Sequence, residues 1–236
     1  MAFRQMFTRL VGSVIKSKKF EKAYRRSLYD GPGIGEEYSH LERGIGWLEK
    51  HFIPQSMQYT IDCLPTIRRL LLKFPRERAL EYLDFGAGSG SGAQLIATLH
   101  RSAFIWCRLK VAAMDINPAR ADYARHVFND IDYIVGDLFE YDRDRSWDLV
   151  FCSHVIEHID DPRPLIEELQ RRARHRVIVY APFEENPLGH GHFFSITREF
   201  LKSFDAESIE VVKSLAWGDP LDADARCVIA VLPGKA

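Results

Sequence analysis

The chain has 236 residues, of which 46% are hydrophobic and 28% are charged. This length and apolar content suffice for one large core, and the formal net charge of −1 gives no overall attraction to nucleic acid or to anionic membranes. The four cysteines are scattered along the sequence, which favours reduced thiols in a cytoplasmic protein over a disulfide framework or a zinc ribbon. No apolar run approaches the ~18 residues that a membrane-spanning helix needs.

Residues 1–28 combine apolar side chains at helical spacing with an excess of basic side chains, which predicts a basic amphipathic helix. Three interpretations are open for it: packing on this chain or in a homodimer, a peripheral membrane contact, or an organelle presequence. A glycine-rich segment at 29–38 and a helical region near 40–51 follow. They form either a linker or a lid over a ligand cleft, with substrate contacts from Tyr29, Tyr38, His40 and Arg43.

Residues 78–236 are predicted to form a ligand-binding domain, and residues 1–77 a helical N-terminal extension. Strands are predicted at 81–85, 109–115, 132–135, 148–152 and 176–180, with helices between them at 91–100, 118–128 and 164–174. A short helix after Thr197 precedes two further strands at 209–212 and 228–232. This alternation implies an α/β fold, a doubly wound and mainly parallel sheet with ligands at the carboxyl ends of its strands.

The first of these strands runs into a glycine-rich turn, Asp84-Phe85-Gly86-Ala87-Gly88-Ser89-Gly90. Its glycines permit positive φ and open the backbone N–H groups to a ligand beside the N-terminus of the next helix. Gly88, Gly90 and Ala93 also fit the dinucleotide fingerprint, so the glycines alone do not separate NAD from other adenosine cofactors. Because a carboxylate at Asp84 would repel a pyrophosphate, the turn favours a ligand with positive charge, such as S-adenosylmethionine.

Three further segments follow in order: Ala113-Met114-Asp115-Ile116-Asn117-Pro118, Val135-Gly136-Asp137-Leu138 and the stretch 148–159, which continues as far as Leu169. With the turn, they resemble the class I S-adenosylmethionine-dependent methyltransferases over roughly residues 78–232, and the last segment is similar to the small-molecule branch. The resemblance implies a Rossmann-like, seven-stranded sheet whose last strand runs antiparallel. It also implies methyl transfer to a small-molecule, glycan or lipid-precursor acceptor, and the lack of a nucleic-acid motif agrees with this.

The resemblance assigns cofactor contacts to residues at the strand ends. It implies that Asp115 accepts the ribose hydroxyls and Ile116 packs on adenine, that Asp137 accepts the adenine amino group with Leu138 behind the ring, and that the backbone after the fourth strand borders the methionine moiety. Asp115 also fits a helix N-cap, and Asp137 a solvated loop aspartate. The predicted cofactor-binding residues are Asp84, Gly86, Ala87, Gly88, Gly90, Asp115, Ile116, Asp137, Leu138, Cys152 and Ser153.

The spacing of the two acids at the first strand ends departs from the usual pattern. Asp84 and Asp115 are 31 positions apart. A ribose-binding acid usually follows the glycine turn by about 20 residues. The difference predicts either an insertion or a lengthened helix at 100–108.

Histidines are the candidate catalytic residues, because an ordinary pKa of about 6.5 suits a general base. His154 and His158 follow the fourth strand and are predicted one helical turn apart, and His190 and His192 follow the fifth. Segment 154–158 also reads H-x-x-E-H, a helical zinc signature for which 190–192 could supply a third ligand. Its place after a strand of a doubly wound pattern argues against a metalloprotease, and we expect no metal. A purely structural loop at 181–195 is the alternative.

Two other functions stay open on the sequence. One is a catalytically inactive scaffold or sensor that binds S-adenosylmethionine, and the more remote one is an NAD-dependent oxidoreductase. The intact glycines and both strand-end acids favour a working cofactor site over a scaffold. Binding of S-adenosylmethionine rather than NAD would separate the methyltransferase from the oxidoreductase.

Overall fold

The computed structural model describes residues 53–102, 104, 106–189, 191–217 and 225–236. The predicted basic helix at 1–28, the glycine-rich segment at 29–38 and the helical region near 40–51 therefore lie outside the described residues, as does His190. Within the part of the chain that is described, no helix combines the length and apolar character needed to cross a membrane.

The described residues form one seven-stranded sheet with helices on both faces. In chain order the elements are α1 (Ile53–Leu71), β1 (Ala79–Phe85), α2 (Ser91–Leu99), β2 (Arg108–Asp115), α3 (Pro118–Val127), β3 (Ile131–Val135), β4 (Trp147–Ser153), a 3₁₀ turn (Ile156–His158), α4 (Arg163–Arg172), β5 (Ala173–Pro182), α5 (Arg198–Lys202), β6 (Ser208–Val212) and β7 (Cys227–Pro233). The strands and helices predicted for the domain are thus confirmed. The predicted helix at 164–174 ends earlier, because Ala173 already pairs with Trp147 as the first residue of β5.

The strand order is β3-β2-β1-β4-β5-β7-β6, and β7 runs antiparallel to both of its neighbours. This confirms the predicted doubly wound sheet and its antiparallel last strand. Successive strand residues point to opposite faces, so Tyr82 joins the core cluster beneath α1 and α2 while Leu83 joins the cluster beneath α4. The order reverses between β1 and β4, where a doubly wound sheet binds its ligands.

Helix α1 was not predicted, and it lies within the segment assigned to the N-terminal extension. Its buried face belongs to the core of the sheet domain, including Cys63 and Ile67, both 0% exposed. Its first turns meet the start of α2, since a Cβ on Gly92 would lie 2.4 Å from the Thr60 hydroxyl and the Ser91 hydroxyl donates to the Ile53 carbonyl at 3.1 Å. The N-terminal end of α1 is therefore placed beside the glycine-rich turn.

The extra residues between Asp84 and Asp115 lie in the connection from α2 to β2. Helix α2 ends at Leu99, so the alternative of a lengthened helix is wrong. The connection is tied to the segment that follows α1, because the indole N–H of Trp106 donates to the Phe74 carbonyl at 2.9 Å. The insertion consequently packs at the amino ends of the strands, away from the predicted ligand cleft.

The loop between β3 and β4 is organised by Arg172, a fully buried cation near the end of α4. Its guanidinium donates to Glu168 at 2.7 Å and to carbonyls of the loop, at 2.7 Å for Leu138, 2.9 Å for Tyr141 and 3.0 Å for Arg145, with a further contact to the carbonyl of residue 142. One side chain thus satisfies several carbonyls of the segment that begins with the predicted adenine-binding residues.

We predict that Arg172→Leu lowers the free energy of unfolding by about 3 to 5 kcal/mol, because it leaves Glu168 and the loop carbonyls without their donor. Arg171→Leu is the matched control: Arg171 also pairs with Glu168, but its side chain is 47% exposed, so its loss should cost no more than about 1 kcal/mol. Urea unfolding of both variants measures the difference. Equal effects would contradict a special role for the buried guanidinium.

Candidate active site at the carboxyl ends of the strands

The glycine-rich turn follows β1 and has positive φ at Gly86, Gly88 and Gly90. A Cβ on Gly86 would lie 2.2 Å from Val155 Cγ2, so the turn packs tightly against the segment that follows β4. A Cβ on Gly88 would meet no atom of the described residues within 4 Å. The turn is therefore closed on the Gly86 side and open at Gly88, where a ligand can reach the backbone.

Neighbouring strands hold this turn in place. The N–H groups of Gly86 and Ala87 both donate to the Met114 carbonyl, at 2.9 and 3.0 Å. From β3, the buried Tyr133 hydroxyl donates to the Gly88 carbonyl. Sequence reasoning missed Tyr133, because nothing local to residue 133 signals a contact with residue 88. The backbone of the turn is thus fixed from two strands before any ligand binds.

Asp115 ends β2 beside this opening and is 5% exposed. One carboxylate oxygen accepts the Asn117 N–H at 2.8 Å, and the other accepts the Gly88 N–H at 2.9 Å and the Arg120 guanidinium at 3.2 Å. The bond to Asn117 closes a turn directly before α3, and Asp115 accepts no backbone N–H group of the helix itself. Since two carboxylate oxygens offer about four acceptor positions, ribose binding by Asp115 stays a prediction beside these bonds.

Asp84 lies beneath the turn and is 3% exposed. Burial and the nearby Asp115 carboxylate raise the pKa of Asp84 from the ordinary 3.8 to about 8, although a hydrogen bond with the Ala93 backbone opposes this shift. Ala93 lies in the first turn of α2, so the Asp84 side chain links the glycine turn to the start of that helix. From this position it can order the turn, but a carboxyl with so high a pKa is mostly neutral at pH 7, so the charge argument for a cationic ligand drawn from the sequence is not supported.

The other predicted cofactor residues differ in exposure. Ile116, Asp137 and Ser153 are partly exposed, whereas Leu138 is fully buried in the core cluster beneath α4. Cys152 is 1% exposed, and burial together with nearby carboxylates holds the pKa of its thiol above the usual range. The side chain of Cys152 is therefore not available to a ligand in this structure. The roles of all these residues toward a cofactor stay predictions.

His154 follows β4 in an aromatic enclosure. Its ring stacks on Tyr59 of α1, with centroids 3.8 Å apart, and lies 5.3 and 5.2 Å from the rings of Tyr180 and Trp217. Its φ of 50° is left-handed, and the 3₁₀ turn begins at Ile156. The prediction that His154 and His158 lie one turn apart on a helix is therefore wrong, because the backbone reverses its curvature at residue 154.

His158 and His192 come together although they are far apart in the chain. Their ring centroids are 4.9 Å apart, and Trp217 stacks on His192 at 4.9 Å. His158 Nδ1 lies 3.0 Å from the Gly191 carbonyl oxygen, and His192 Nδ1 lies 2.6 Å from a Glu185 carboxylate oxygen. Three of the four predicted histidines thus lie in one region at the carboxyl ends of β4 and β5.

Glu157 lies among these histidines and is fully buried. Burial raises the pKa of its carboxyl, but the neighbouring His154 and His158 outweigh burial and hold that pKa below its ordinary value. Sequence reasoning treated Glu157 only as part of a motif and missed it as a site residue. The signal that was available is its position between two histidines directly after a strand.

Residues 83–181 match the family model described as "Methyltransferase domain". A stretch of 96 residues is 33% identical to the ubiquinone biosynthesis O-methyltransferase of Rickettsia conorii (strain ATCC VR-613 / Malish 7), covering 40% of this chain and 32% of that protein. The same kind of enzyme from Rickettsia bellii (strain OSU 85-389) is 31% identical over 96 residues, which cover 40% of this chain and 38% of the relative. The matched region spans roughly a third of the length of these curated relatives.

Two solved structures are similar in fold. Magnesium protoporphyrin IX methyltransferase from Synechocystis PCC 6803 with bound SAH has a TM-score of 0.58 at 16% identity, over 93% of this chain and 100% of that chain. The N-methyltransferase NodS from Bradyrhizobium japonicum WM9, in complex with S-adenosyl-l-homocysteine, has a TM-score of 0.54 at 13% identity, over 98% and 99% of the two chains.

The family match and the sheet order define the class. Residues 83–181 match the methyltransferase domain family, and the described residues have the sheet order and fold of the class I S-adenosylmethionine-dependent methyltransferases. Within that class, the curated relatives named above are O-methyltransferases, whereas NodS is an N-methyltransferase. The resemblance drawn from the sequence is thereby confirmed at the level of the class.

Because the folded protein holds a proton on Asp84, its free energy of unfolding depends on pH with a definite sign. Folding raises the pKa of Asp84 from 3.8 to about 8. The stability that this group contributes is therefore fully present below its pKa in the unfolded chain and is lost as the pH rises toward its pKa in the folded protein. Apart from Asp115, the titratable groups around it stay neutral, since burial holds the pKa of each above its usual range: Cys63, Tyr82, Tyr133 and Cys152.

We therefore expect the free energy of unfolding of the wild type to fall relative to that of Asp84→Asn as the pH rises from about 5 to about 8, by at most about 1.4 kcal/mol per pH unit. Asparagine mimics the protonated carboxyl and does not titrate. Urea unfolding at a series of pH values measures the difference, with Asp132→Asn on the exposed side of β3 as the control. A difference that does not vary with pH would contradict the assignment.

Proposed function

We propose that the protein is an S-adenosylmethionine-dependent methyltransferase that transfers the methyl group to a small-molecule acceptor. The single observation that carries the proposal is the open backbone at Gly88, which lies next to the Asp115 carboxylate at the reversal of strand order. This arrangement puts backbone that no side chain covers next to a carboxylate, at the place where doubly wound sheets bind nucleotides. The match of residues 83–181 to the methyltransferase family supports the same ligand.

The cofactor would lie along the carboxyl ends of β1, β2 and β4. Asp115 would accept the ribose hydroxyls, with Ile116 packing on the adenine and Asp137 at its amino group, whereas the fully buried Leu138 would support this loop from the core. The methionine moiety would lie along the glycine turn toward Ser153, the last residue of β4. Asp84, buried under the turn, would act on the cofactor through the geometry of the backbone.

The acceptor would occupy the region beyond β4 and β5. Tyr59 and Trp217 are aromatic, and His154 and His192 have ring contacts with them, so this region suits a flat or ring-containing molecule. The curated relatives are O-methyltransferases of ubiquinone biosynthesis by name, which favours an oxygen acceptor. A glycan or a lipid precursor is a further candidate.

The reaction is a direct displacement. A lone pair of the acceptor atom attacks the methyl carbon, the carbon–sulfur bond breaks with its electrons on sulfur, and S-adenosylhomocysteine leaves. An acceptor hydroxyl gives up its proton to a base or to solvent. The protein contributes mainly by aligning acceptor, methyl carbon and sulfur, and a positioned base adds to this.

We predict that Gly88→Ala weakens S-adenosylmethionine binding by at least about tenfold, or about 1.4 kcal/mol. The new methyl group would enter the open space next to the turn, and positive φ is strained for alanine by about 1 to 2 kcal/mol. Gly136→Ala is the control, because its Cβ would meet only Tyr141 Cδ2 at 4.0 Å among the described residues. Titration calorimetry with S-adenosylmethionine and S-adenosylhomocysteine measures both variants. Failure of the wild type to bind either at millimolar concentration, or a preference for NAD, would reject the proposal.

We also predict that alanine at one of His154, His158, His190 or His192 lowers turnover by about 10² to 10⁴ while S-adenosylmethionine binding stays nearly unchanged. His175→Ala is the control, because His175 lies beside Asp148 at the opposite end of the sheet. The measurement is turnover with labelled cofactor on an acceptor found by screening small-molecule extracts. If all four variants turn over normally, no histidine acts on the acceptor and alignment alone suffices.

A further inference from the structure

We propose that Glu157, His158 and His192 form a binding site for one divalent transition-metal ion of the Zn²⁺ type. Each residue offers one ligand atom, and these atoms all lie within 4.8 Å of one another. Glu157 and His158 come from the 3₁₀ turn after β4, and His192 comes from the loop after β5. The proposal concerns ion binding by the protein itself and stands apart from the proposed methyl transfer.

The first argument is the state of Glu157. Its side chain is fully buried, and neither carboxylate oxygen has a hydrogen-bond partner among the described residues. His154 Nδ1 lies 3.1 Å from one of these oxygens but is not aligned as a hydrogen-bond donor. Both oxygens thus keep open acceptor positions inside the protein, which a coordinated cation would fill.

The second argument is the orientation of the two imidazoles. A carbonyl oxygen only accepts hydrogen bonds, so the contact of His158 Nδ1 with the Gly191 carbonyl puts the proton on Nδ1. The contact of His192 Nδ1 with the Glu185 carboxylate has the same consequence. In the neutral rings, Nε2 then carries the lone pair that a metal needs. Backbone carbonyls and carboxylates are the outer partners that metal-binding histidines normally have.

The third argument is that main-chain hydrogen bonds hold the 3₁₀ turn and the loop after β5 together. The N–H groups of Phe193 and Phe194 both donate to the Glu157 carbonyl, at 2.8 and 3.2 Å. The absence of a side chain at Gly189 lets Glu185 reach His192, because a Cβ there would lie 2.7 Å from the Glu185 carboxylate. The ligand atoms are therefore held together by hydrogen bonds that do not involve the ligand atoms themselves.

The donor set indicates the kind of ion. Two imidazoles and one carboxylate suit Zn²⁺, Co²⁺ or Fe²⁺, whereas Mg²⁺ and Ca²⁺ prefer oxygen ligands alone. The set differs from the H-x-x-E-H zinc signature considered from the sequence, in which His154 and His158 are ligands and the glutamate is a base. Three protein ligands leave at least one position for water or for an oxygen atom of another molecule.

This open position gives the ion a role if the proposed function holds. An acceptor hydroxyl bound there would lose its proton more readily, since a bound divalent ion lowers the pKa of coordinated oxygen. His158 and His192 would then act on the acceptor through the ion, with their Nε2 lone pairs on the metal. This step rests on the proposed function, whereas ion binding does not.

The experiment uses the full chain, stripped of metal with a chelator and dialysed, without S-adenosylmethionine. Titration with Co²⁺ should saturate at one equivalent and produce visible absorption bands of a nitrogen- and oxygen-coordinated ion, and Zn²⁺ should displace it. Glu157→Gln and His192→Ala should each weaken Co²⁺ binding at least about tenfold. Glu185→Gln, which alters only the partner of His192, should weaken it about 10- to 100-fold.

Glu167→Gln and His175→Ala serve as controls, because Glu167 is exposed on α4 and His175 lies at the start of β5. Glu157→Gln keeps the size of the side chain and removes its charge, so it takes away the charged ligand without opening a cavity. Added Zn²⁺ should raise the unfolding temperature of the wild type and leave that of Glu157→Gln unchanged.

Two outcomes would overturn the proposal. One is the absence of saturable Co²⁺ and Zn²⁺ binding up to millimolar concentration, and the other is binding that Glu157→Gln and His192→Ala leave unchanged. Separate titration with S-adenosylmethionine distinguishes this failure from failure of the proposed function. A protein that binds Co²⁺ at Glu157 but binds no S-adenosylmethionine would keep the ion site and lose the methyltransferase proposal.

Discussion

The parallel pairing of β1 between β2 and β4 is the constraint on which the site depends. The register pairs Phe85 with Met114 on one side and with Cys152 on the other, so the three strands end at nearly the same level. The glycine turn, Asp115 and the segment after β4 must therefore meet. The tight contact between Gly86 and Val155 and the two hydrogen bonds to the Met114 carbonyl are consequences of this register.

Two acids are buried at this edge of the sheet, and their surroundings shift their pKa values in opposite directions. Asp84 lies near Asp115, and burial with that second carboxylate raises its pKa to about 8, so the neutral form dominates at neutral pH. Glu157 lies between two histidines, which hold its pKa below the ordinary value in spite of burial. The same edge thus keeps a protonated carboxyl under the glycine turn and an ionised one among the histidines after β4 and β5.

Local sequence patterns sufficed to predict the strands of the sheet and the glycine turn. Strand alternation, the glycine spacing and the acid at the end of β2 are all features of short segments, and the structure has the strands and the turn where they were predicted. The insertion at 100–108 was also visible, although the sequence did not show that it is a loop. Helix α1 was missed because Pro65 and scattered polar residues obscure its apolar face.

The arrangement of the histidines could not be predicted in the same way, because it depends on contacts between distant segments. His154 and His158 share a motif, but the left-handed backbone at His154 prevents the two residues from lying on one helix. His192 is brought to Glu157 by hydrogen bonds from the N–H groups of the next two residues to the Glu157 carbonyl. The contact between Tyr59 and His154 joins segments 95 positions apart, from 59 to 154. No periodicity or spacing rule reports such a pairing.

The residues around the histidines lie partly outside the segment that matches the family, which bears on acceptor specificity. The family match covers 83–181, which includes the glycine turn, Asp115 and the 3₁₀ turn with Glu157. It leaves out Tyr59, His192 and Trp217, the residues that surround the histidines from α1 and from the loops after β5 and β6. Under the proposed function, the shared segment would bind the cofactor and the flanking segments would select the acceptor. Relatives that resemble this chain over the shared segment alone can accordingly differ from it in what they methylate.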